Sequence, residues 1–195
     1  MQVSVAVIAA LALAACGSLP VQPDFTSVES VLRHSEELGR QLDRQARELA
    51  SSQGKKEPPR VRLQQPLRVM RVTSHFGKRR GRRHDGIDIN APIGTPVYAS
   101  EAGIVVFAGV HIDGYGETII VRHPGGLSTL YAHNSVLRVV EGEAVTKGQC
   151  IAYSGDTGNA SGPHLHFEVR EGLRALNPAN WVLPRPRKVA SEKKS

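Results

Sequence analysis

Aromatic residues are scarce in this chain, with four Tyr, four Phe and one Trp among 195 residues. The scarcity bears on the charge, since 25 Lys and Arg against 18 Asp and Glu leave a formal net charge of +7. A basic chain invites a nucleic-acid reading, but that reading needs aromatic stacking platforms or a recognised motif, and neither is present. General attraction to anionic surfaces is the simpler account of the cations. The HExxH signature is missing too, so a hydrolytic metal site here would have no glutamate of that kind to serve as base. No sustained helical period follows Pro66, which turns the expectation for the rest of the chain towards strands. Cysteine occurs only at Cys16 and Cys150.

What the chain does have is histidine in an ordered pattern. In SGPHLHFEV, Ser161 to Val169, a strand would reverse its side chains at every residue. His164 and His166 then share one face, while Leu165, Phe167 and Val169 point to the other. An isolated HxH is more often a polar pair on the wet face of a half-buried strand. Pieces upstream change the reading. If Gly86 to Asn90 is extended, His84, Gly86 and Asp88 of RHDGIDIN share a face, so HxxxD can present an imidazole and a carboxylate to one ion. TLYAHNS adds His133. Nitrogen and carboxylate donors of this type suit zinc, and two histidines with one aspartate would leave the fourth tetrahedral position to water, as in a catalytic site.

From about Thr73 to Trp181 the sequence resembles the lysostaphin-type, or LytM-type, zinc metallopeptidases, which cleave peptide bonds in bacterial cell-wall peptidoglycan. TSHFGKR, HDGIDINAPIGTPVYASEAGIVVFAG, GYGETIIVRH, YAHNS, VTKGQCIAYSGDTG, GPHLHFEV and NPANW fall in the family order. The resemblance implies that Zn2+ is held by His84, Asp88 and His166, and that His133 and His164 are catalytic without being ligands. All five are present. Glu117 stands where an Asn is common after GYG, and NASG precedes PHLH where STG is usual; neither departure touches a ligand.

Residues 1–16, MQVSVAVIAALALAAC, are almost wholly apolar from Val3 to Ala15. The run is too short to span a bilayer comfortably and fits the apolar region of a signal peptide. Its LAAC ending resembles the lipobox of bacterial lipoproteins, which implies that Cys16 becomes the lipidated first residue of the mature protein. Gly17 in place of Asp implies the outer membrane, with the protein facing the periplasm. Met1 and Gln2 supply no positive n-region, which points to a translation start upstream or else to inefficient export. Residues 17–66 read as a tether, a helix and a linker. From Thr26 to Ser52, Val28, Val31, Leu32, Leu38, Leu42, Ala46 and Leu49 follow helical spacing, with Thr26 or Ser27 as cap and Glu29 in the first turn. The stripe is narrow and interrupted by Ser35 and Gly39, so a spacer helix or weak coiled coil is expected, not a core helix. Gly54 to Pro66 shifts to Pro, Gly and basic residues, as an extended linker does.

Residues 67–182 form the expected catalytic domain. LRVMRV, Leu67 to Val72, alternates apolar and basic residues as a strand would. Runs at Pro96–Ala99, Gly103–Val110, Glu117–Arg122, Ser128–Tyr131, Cys150–Tyr153 and Leu165–Arg170 continue the pattern, and HPGGLS reads as a hairpin connection. The expected fold is mainly β, an antiparallel, sandwich-like LytM/lysostaphin-type domain preceded by an N-terminal helix. The basic run Lys78, Arg79, Arg80, Arg82 and Arg83 reads first as a solvated loop, and its place before His84 also suits carboxylates of peptidoglycan stem peptides. With Cys16 lipidated, Cys150 can form no intrachain disulfide and reads as a small buried hydrophobe. His34, His75, His111 and His123 lie outside the motif set and read as structural or exposed. Residues 183–195, with two prolines and many cations, read as a mobile tail.

These parts give a zinc endopeptidase that cuts the peptide cross-links of the wall. With an outer-membrane anchor, the expected bond is D-alanine to meso-diaminopimelate. Either His133 or His164 would accept the proton of the attacking water, and the sequence does not divide the two duties. Two other classes compete. Lipoproteins with LytM-type domains include non-catalytic activators of cell-wall amidases, and a plain peptidoglycan-binding module is also conceivable. Both leave His133 and His164 without a task.

Overall fold

The computed structural model describes residues 26–52, 54, 62–79 and 81–182. The expected signal peptide with Cys16, the tether before Thr26, most of the linker and the tail 183–195 lie outside the described residues. Two helices come first, α1 (Val28–His34) and α2 (Glu36–Ser52). The strands are β1 (Val72–Ser74), β2 (Gly77–Arg79), β3 (Arg82–His84), β4 (Ile87–Asn90), β5 (Pro96–Tyr98) and β6 (Gly103–Gly109). Then follow β7 (Glu117–Arg122), β8 (Leu127–Leu137), β9 (Ala144–Val145), β10 (Cys150–Ser154), β11 (His164–Glu171), β12 (Arg174–Leu176) and a last turn, α3 (Ala179–Val182). Among the described residues no helix is long and apolar enough to cross a membrane.

The main sheet runs β1-β4-β11-β8-β7-β6-β9, with β10 joining β8 to β5 and β12 flanking β11. Every pairing is antiparallel, as expected from the sequence. HPGGLS turns β7 into β8, and His123 N–H donates to Leu127 O at 2.8 Å. One face of the sheet carries Ile87, Ile89, Ile119, Val121, Tyr131, Leu165, Phe167 and Val169, closed over by Val97, Val139, Ile151 and Val182. This is the larger core.

The other face is divided between α1 and the candidate site, and here the structure corrects the expectation of a free spacer helix. Val28, Val31 and Leu32 are buried against Val106, Phe107, Ile112, Ile120, Leu130 and Ala132. At about 1.5–3 kcal/mol for each large aliphatic side chain fully removed from water, this seat is worth several kcal/mol before ordering costs. Ser27 caps α1 by accepting from Ser30 N–H at 3.1 Å. α2 continues onto the β7–β8 hairpin: Leu42 packs with Ile104, and Asp43 Oδ1 accepts from Gly125 N–H at 2.6 Å. Gly39, which interrupts the apolar stripe, lies under Arg122; a Cβ there would come within 2.7 Å of the guanidinium. The missing side chain makes room for a neighbour.

Two smaller expectations also change. Leu67–Arg71 is not a strand, and β1 begins only at Val72. The segment is held at its ends, where Pro66 O accepts from Tyr98 N–H and Arg71 O from Asn90 N–H, both at 2.9 Å. Between them the chain bends, leaving Val69 73% exposed. Cys150 is half-buried, because the next two residues of β10, Ile151 and Ala152, take the core positions.

His123 is wholly buried. Its Nδ1 lies 3.0 Å from Ala102 O and its Nε2 2.7 Å from Thr129 Oγ1. Burial pushes this imidazole down to about 4, against the hydrogen bond to Ala102. The unfolded chain, with a histidine near 6.5, therefore binds a proton first as pH falls. The stabilisation is complete above about pH 6.5 and is lost as pH falls through about 4, a change on the order of 3 kcal/mol. Urea unfolding followed by circular dichroism should show this decline, and His123→Asn should flatten it while lowering the neutral plateau. An equally steep decline in the variant would contradict the assignment.

Candidate metal centre

Three strands converge on the outer face of the sheet beside α1. The β4–β11 register sets Asp88 opposite His166, and the short β2–β3 hairpin delivers His84 from its last position. Gly86 makes this approach possible: a Cβ there would lie 2.5 Å from Phe167 O and 2.8 Å from His166 Cε1. His84 Nε2 and His166 Nδ1 lie 3.1 and 2.9 Å from Asp88 Oδ1 and 3.2 Å from each other. Zinc bonds of about 2.0–2.1 Å at tetrahedral angles place neighbouring donors roughly 3.3 Å apart, so the three atoms suit one face of a zinc coordination sphere.

The second nitrogen of each ring fixes the first. His84 Nδ1–H donates to His75 O at 2.8 Å, and His166 Nε2–H donates to Glu168 Oε1 at 2.9 Å. Both rings then turn a lone pair towards the Asp88 carboxylate, and three acceptors facing one another need a cation or shared protons between them. Burial alone would raise Asp88, but hydrogen bonds from His166 and His84 hold it well below the usual carboxylate range. The hydrogen bond to Asp88 raises His84 above its ordinary value. Burial opposes charge on His166, yet Asp88 and Glu168 push it up to about 9.

His133 and His164 stand beside this trio, their ring centroids 4.7 Å apart. His133 is placed by a bulge. Tyr131 pairs with Ile119 and Asn134 with Glu117, so Ala132 and His133 together oppose Thr118. His133 takes a φ of 61°, a left-handed conformation that costs a non-glycine residue on the order of 1–3 kcal/mol. The surroundings hold it there: Asn134 Nδ2 donates to Glu117 O and Tyr131 O, both at 2.8 Å, and His133 N–H donates to Tyr115 O at 2.9 Å. His133 Nδ1–H donates to Thr157 O at 2.7 Å and His164 Nδ1–H to Gly162 O at 2.8 Å. Each ring keeps Nε2 as its acceptor. Burial pushes His133 down to about 4, which keeps it neutral at ordinary pH.

All five residues singled out in the sequence thus border one cleft of about 320 Å³, with Arg83, Asp113, Tyr115 and Asn159 on its other walls. Of the basic run, Arg83 reaches this cleft and pairs with Asp85 at 2.5 Å; Lys78 is exposed, and Arg80 lies outside the described residues. Four residues of the site were not singled out: Glu168, Arg170, Tyr115 and Asn134. Glu168 is fully buried, held by Tyr115 OH at 2.7 Å, Arg170 Nε at 2.6 Å and His166. Burial works against its charge, but His166 and Arg170 keep its carboxyl below the ordinary value. A signal for two of the four was present, because Glu168 and Arg170 continue the His164, His166 face of the strand at every second residue.

Gly86→Ala should therefore weaken divalent-metal binding on the order of 10- to 100-fold while leaving all three donors in the chain. Competition with a metal-sensitive chelating dye measures this. Undiminished affinity would show that the close approach at Gly86 does not set the ligand geometry.

The model of Peptidase family M23 matches residues 82–178. DD-carboxypeptidase/endopeptidase Mpg of Neisseria meningitidis serogroup B is 42% identical over 135 residues, covering 66% of this chain and 31% of that protein. The chain thus spans about a third of that relative's length. A zinc containing peptidase from Vibrio cholerae superposes with a TM-score of 0.60 at 34% identity, over 68% of this chain and 43% of that one. The catalytic domain of lysostaphin from Staphylococcus simulans does so with a TM-score of 0.54 at 32% identity, over 57% of this chain and 90% of that domain. With the family model and these likenesses in agreement, the chain belongs to Peptidase family M23.

Proposed function

We propose that this protein is a zinc-dependent endopeptidase that hydrolyses the peptide cross-links of bacterial peptidoglycan, with D-alanine to meso-diaminopimelate as the bond cut. The observation that carries the reading is the pair His133 and His164. Neither is needed to complete the donor set of His84, Asp88 and His166, yet both are fixed by backbone carbonyls so that Nε2 is the acceptor. A module that only binds, or an amidase activator, has no use for them. A lipid anchor on Cys16, holding the domain at the outer membrane on its periplasmic side, is part of the same proposal and rests on the LAAC ending of the leader.

His84 Nε2, Asp88 Oδ1 and His166 Nδ1 would hold the ion. When bound, zinc supplies Lewis acidity, which polarises a carbonyl oxygen and brings the pKa of a water towards about 7. The remaining work falls to the chain. His133, neutral at Nε2, accepts a proton from the attacking water and, once protonated, can pass it to the leaving amine. His164 Nε2, 3.6 Å from Asp88 Oδ1, borders the same space and, as an acceptor, can take the N–H of the reacting peptide bond. Glu168 keeps the His166 ring turned so that Nδ1 faces Asp88 Oδ1, where it would serve as a donor to the ion.

Digestion of purified cross-linked peptidoglycan by the full chain, with bound zinc measured in parallel, tests the proposal. Cross-linked dimers should become monomers. His133→Ala should lower turnover on the order of 10²- to 10⁴-fold with zinc retained, whereas His84→Ala, Asp88→Ala and His166→Ala should lose the metal. Bound zinc with unchanged muropeptides would overturn the endopeptidase and turn attention to an amidase activator. Equal loss of zinc in both groups of variants would overturn the division between ligands and proton carriers.

A further inference from the structure

The helix α1 and the candidate metal centre share one face of the sheet, and a line of charged contacts joins them. Arg170 is 3% exposed, and each of its three nitrogens is engaged. Nε donates to Glu168 Oε2 at 2.6 Å. Nη2 donates to Asp85 Oδ2 at 3.3 Å. Nη1 donates to Leu173 O at 3.2 Å and to Glu29 Oε1 at 3.3 Å. Glu168 orients His166, and Asp85 lies between His84 and Gly86 on the segment that brings the first two ligands together. A single guanidinium therefore braces the metal trio from both sides, and its outer support comes from the first turn of α1. The seat of α1 reaches the same place by a second route. Asp113 N–H donates to Thr26 O at 3.2 Å, which ties the start of α1 to the loop whose Tyr115 holds the other side of Glu168.

We infer that Glu29 is a positioning residue of the metal centre, so that the docked N-terminal helix sets metal affinity through Glu29, Arg170 and Glu168. The inference rests on the zinc centre proposed above. Its logic is geometric. With Glu29 in place, Arg170 Nη1 has two acceptors and the guanidinium has one orientation, which fixes the Glu168 carboxylate against His166 Nε2. With a neutral amide there, Nη1 keeps an acceptor but loses its charge-assisted one, which leaves the plane of Arg170 freer to tilt towards Asp85 and pull on the His84 segment. Glu29 itself is half exposed, so its pair with Arg170 adds little to global stability. Its effect should be felt where orientation matters most.

The test compares Glu29→Gln with Glu36→Gln in the full chain. Both remove a carboxylate from the first turn of a helix, but Glu36 pairs with exposed Arg40 and makes no contact with Arg170 among those described. Zinc dissociation constants come from competition with a chelating dye, and the cobalt(II)-loaded chain gives a visible spectrum sensitive to ligand geometry. Thermal unfolding of the metal-free forms is the control for structure. The expected result is a three- to tenfold weaker zinc affinity and an altered cobalt spectrum in Glu29→Gln alone, with unfolding temperatures of the two metal-free variants alike. Zinc affinity and cobalt spectrum unchanged in Glu29→Gln would overturn the inference and leave the zinc centre standing. Equal weakening in both variants, in step with lowered unfolding temperatures, would overturn it as well, since helix stability alone would then explain the effect. Failure of the unaltered chain to bind zinc would overturn the zinc centre itself, and the inference with it.

Discussion

One cross-strand pair governs the outer face of this sheet: Asp88 of β4 opposite His166 of β11. A slip of β4 by a single residue against β11 would turn Asp88 into the core and bring Ile87 and Ile89 out to water, leaving the two histidines of HxH without their carboxylate. The register is therefore set by the larger core, whose apolar residues contribute far more than any contact among the polar ones. The site inherits its geometry from a hydrophobic decision made on the opposite side of the same strands.

Burying so much charge beside His84, Asp88 and His166 has a cost that the contacts must offset. Glu168 and Arg170 are both nearly inaccessible, and an isolated charge in that position would be strongly destabilising. Each is accepted because its lone pairs or protons are used: Tyr115, His166 and Arg170 on Glu168; Glu168, Asp85, Glu29 and Leu173 O on Arg170. The same holds for the strained backbone at His133, where Asn134, Thr157 and the Tyr115 carbonyl over-determine one conformation. Rigidity at His84, Asp88 and His166 is obtained from groups outside that trio.

Much of the site could be read in the sequence, and the reasons differ residue by residue. The faces of β4 and β11 followed from the two-residue alternation of strands, a local rule that needs no knowledge of the fold. His84, Asp88, His133, His164 and His166 came from spacing together with a family likeness, and the structure brings all five to one cleft. Glu168 and Arg170 were legible by the same alternation but looked like ordinary strand residues, because nothing local says that this face is covered beyond His166. Tyr115 and Asn134 reach the site through pairing with distant strands and a bulge, which no local pattern encodes. The seat of α1 is different again. Its narrow stripe, judged alone, reads as a spacer, yet the counterpart lay in the strands themselves: GIVVFA and ETIIV carry consecutive apolar residues, the mark of strands covered on both faces. Something had to lie over Val106, Phe107 and Ile120, and the amphipathic stretch from Thr26 was at hand.

That seat changes where the folding unit begins. A boundary at Leu67, where the family likeness and the linker both invite one, would sever the sheet from the helix that shields it. Such a fragment would keep every ligand yet show water a contiguous apolar patch made by Val106, Phe107, Ile112, Ile120 and Leu130, the kind of surface through which proteins self-associate. The segment before the linker is then a structural part of its own sheet, and the smallest unit that keeps this face from water starts at α1.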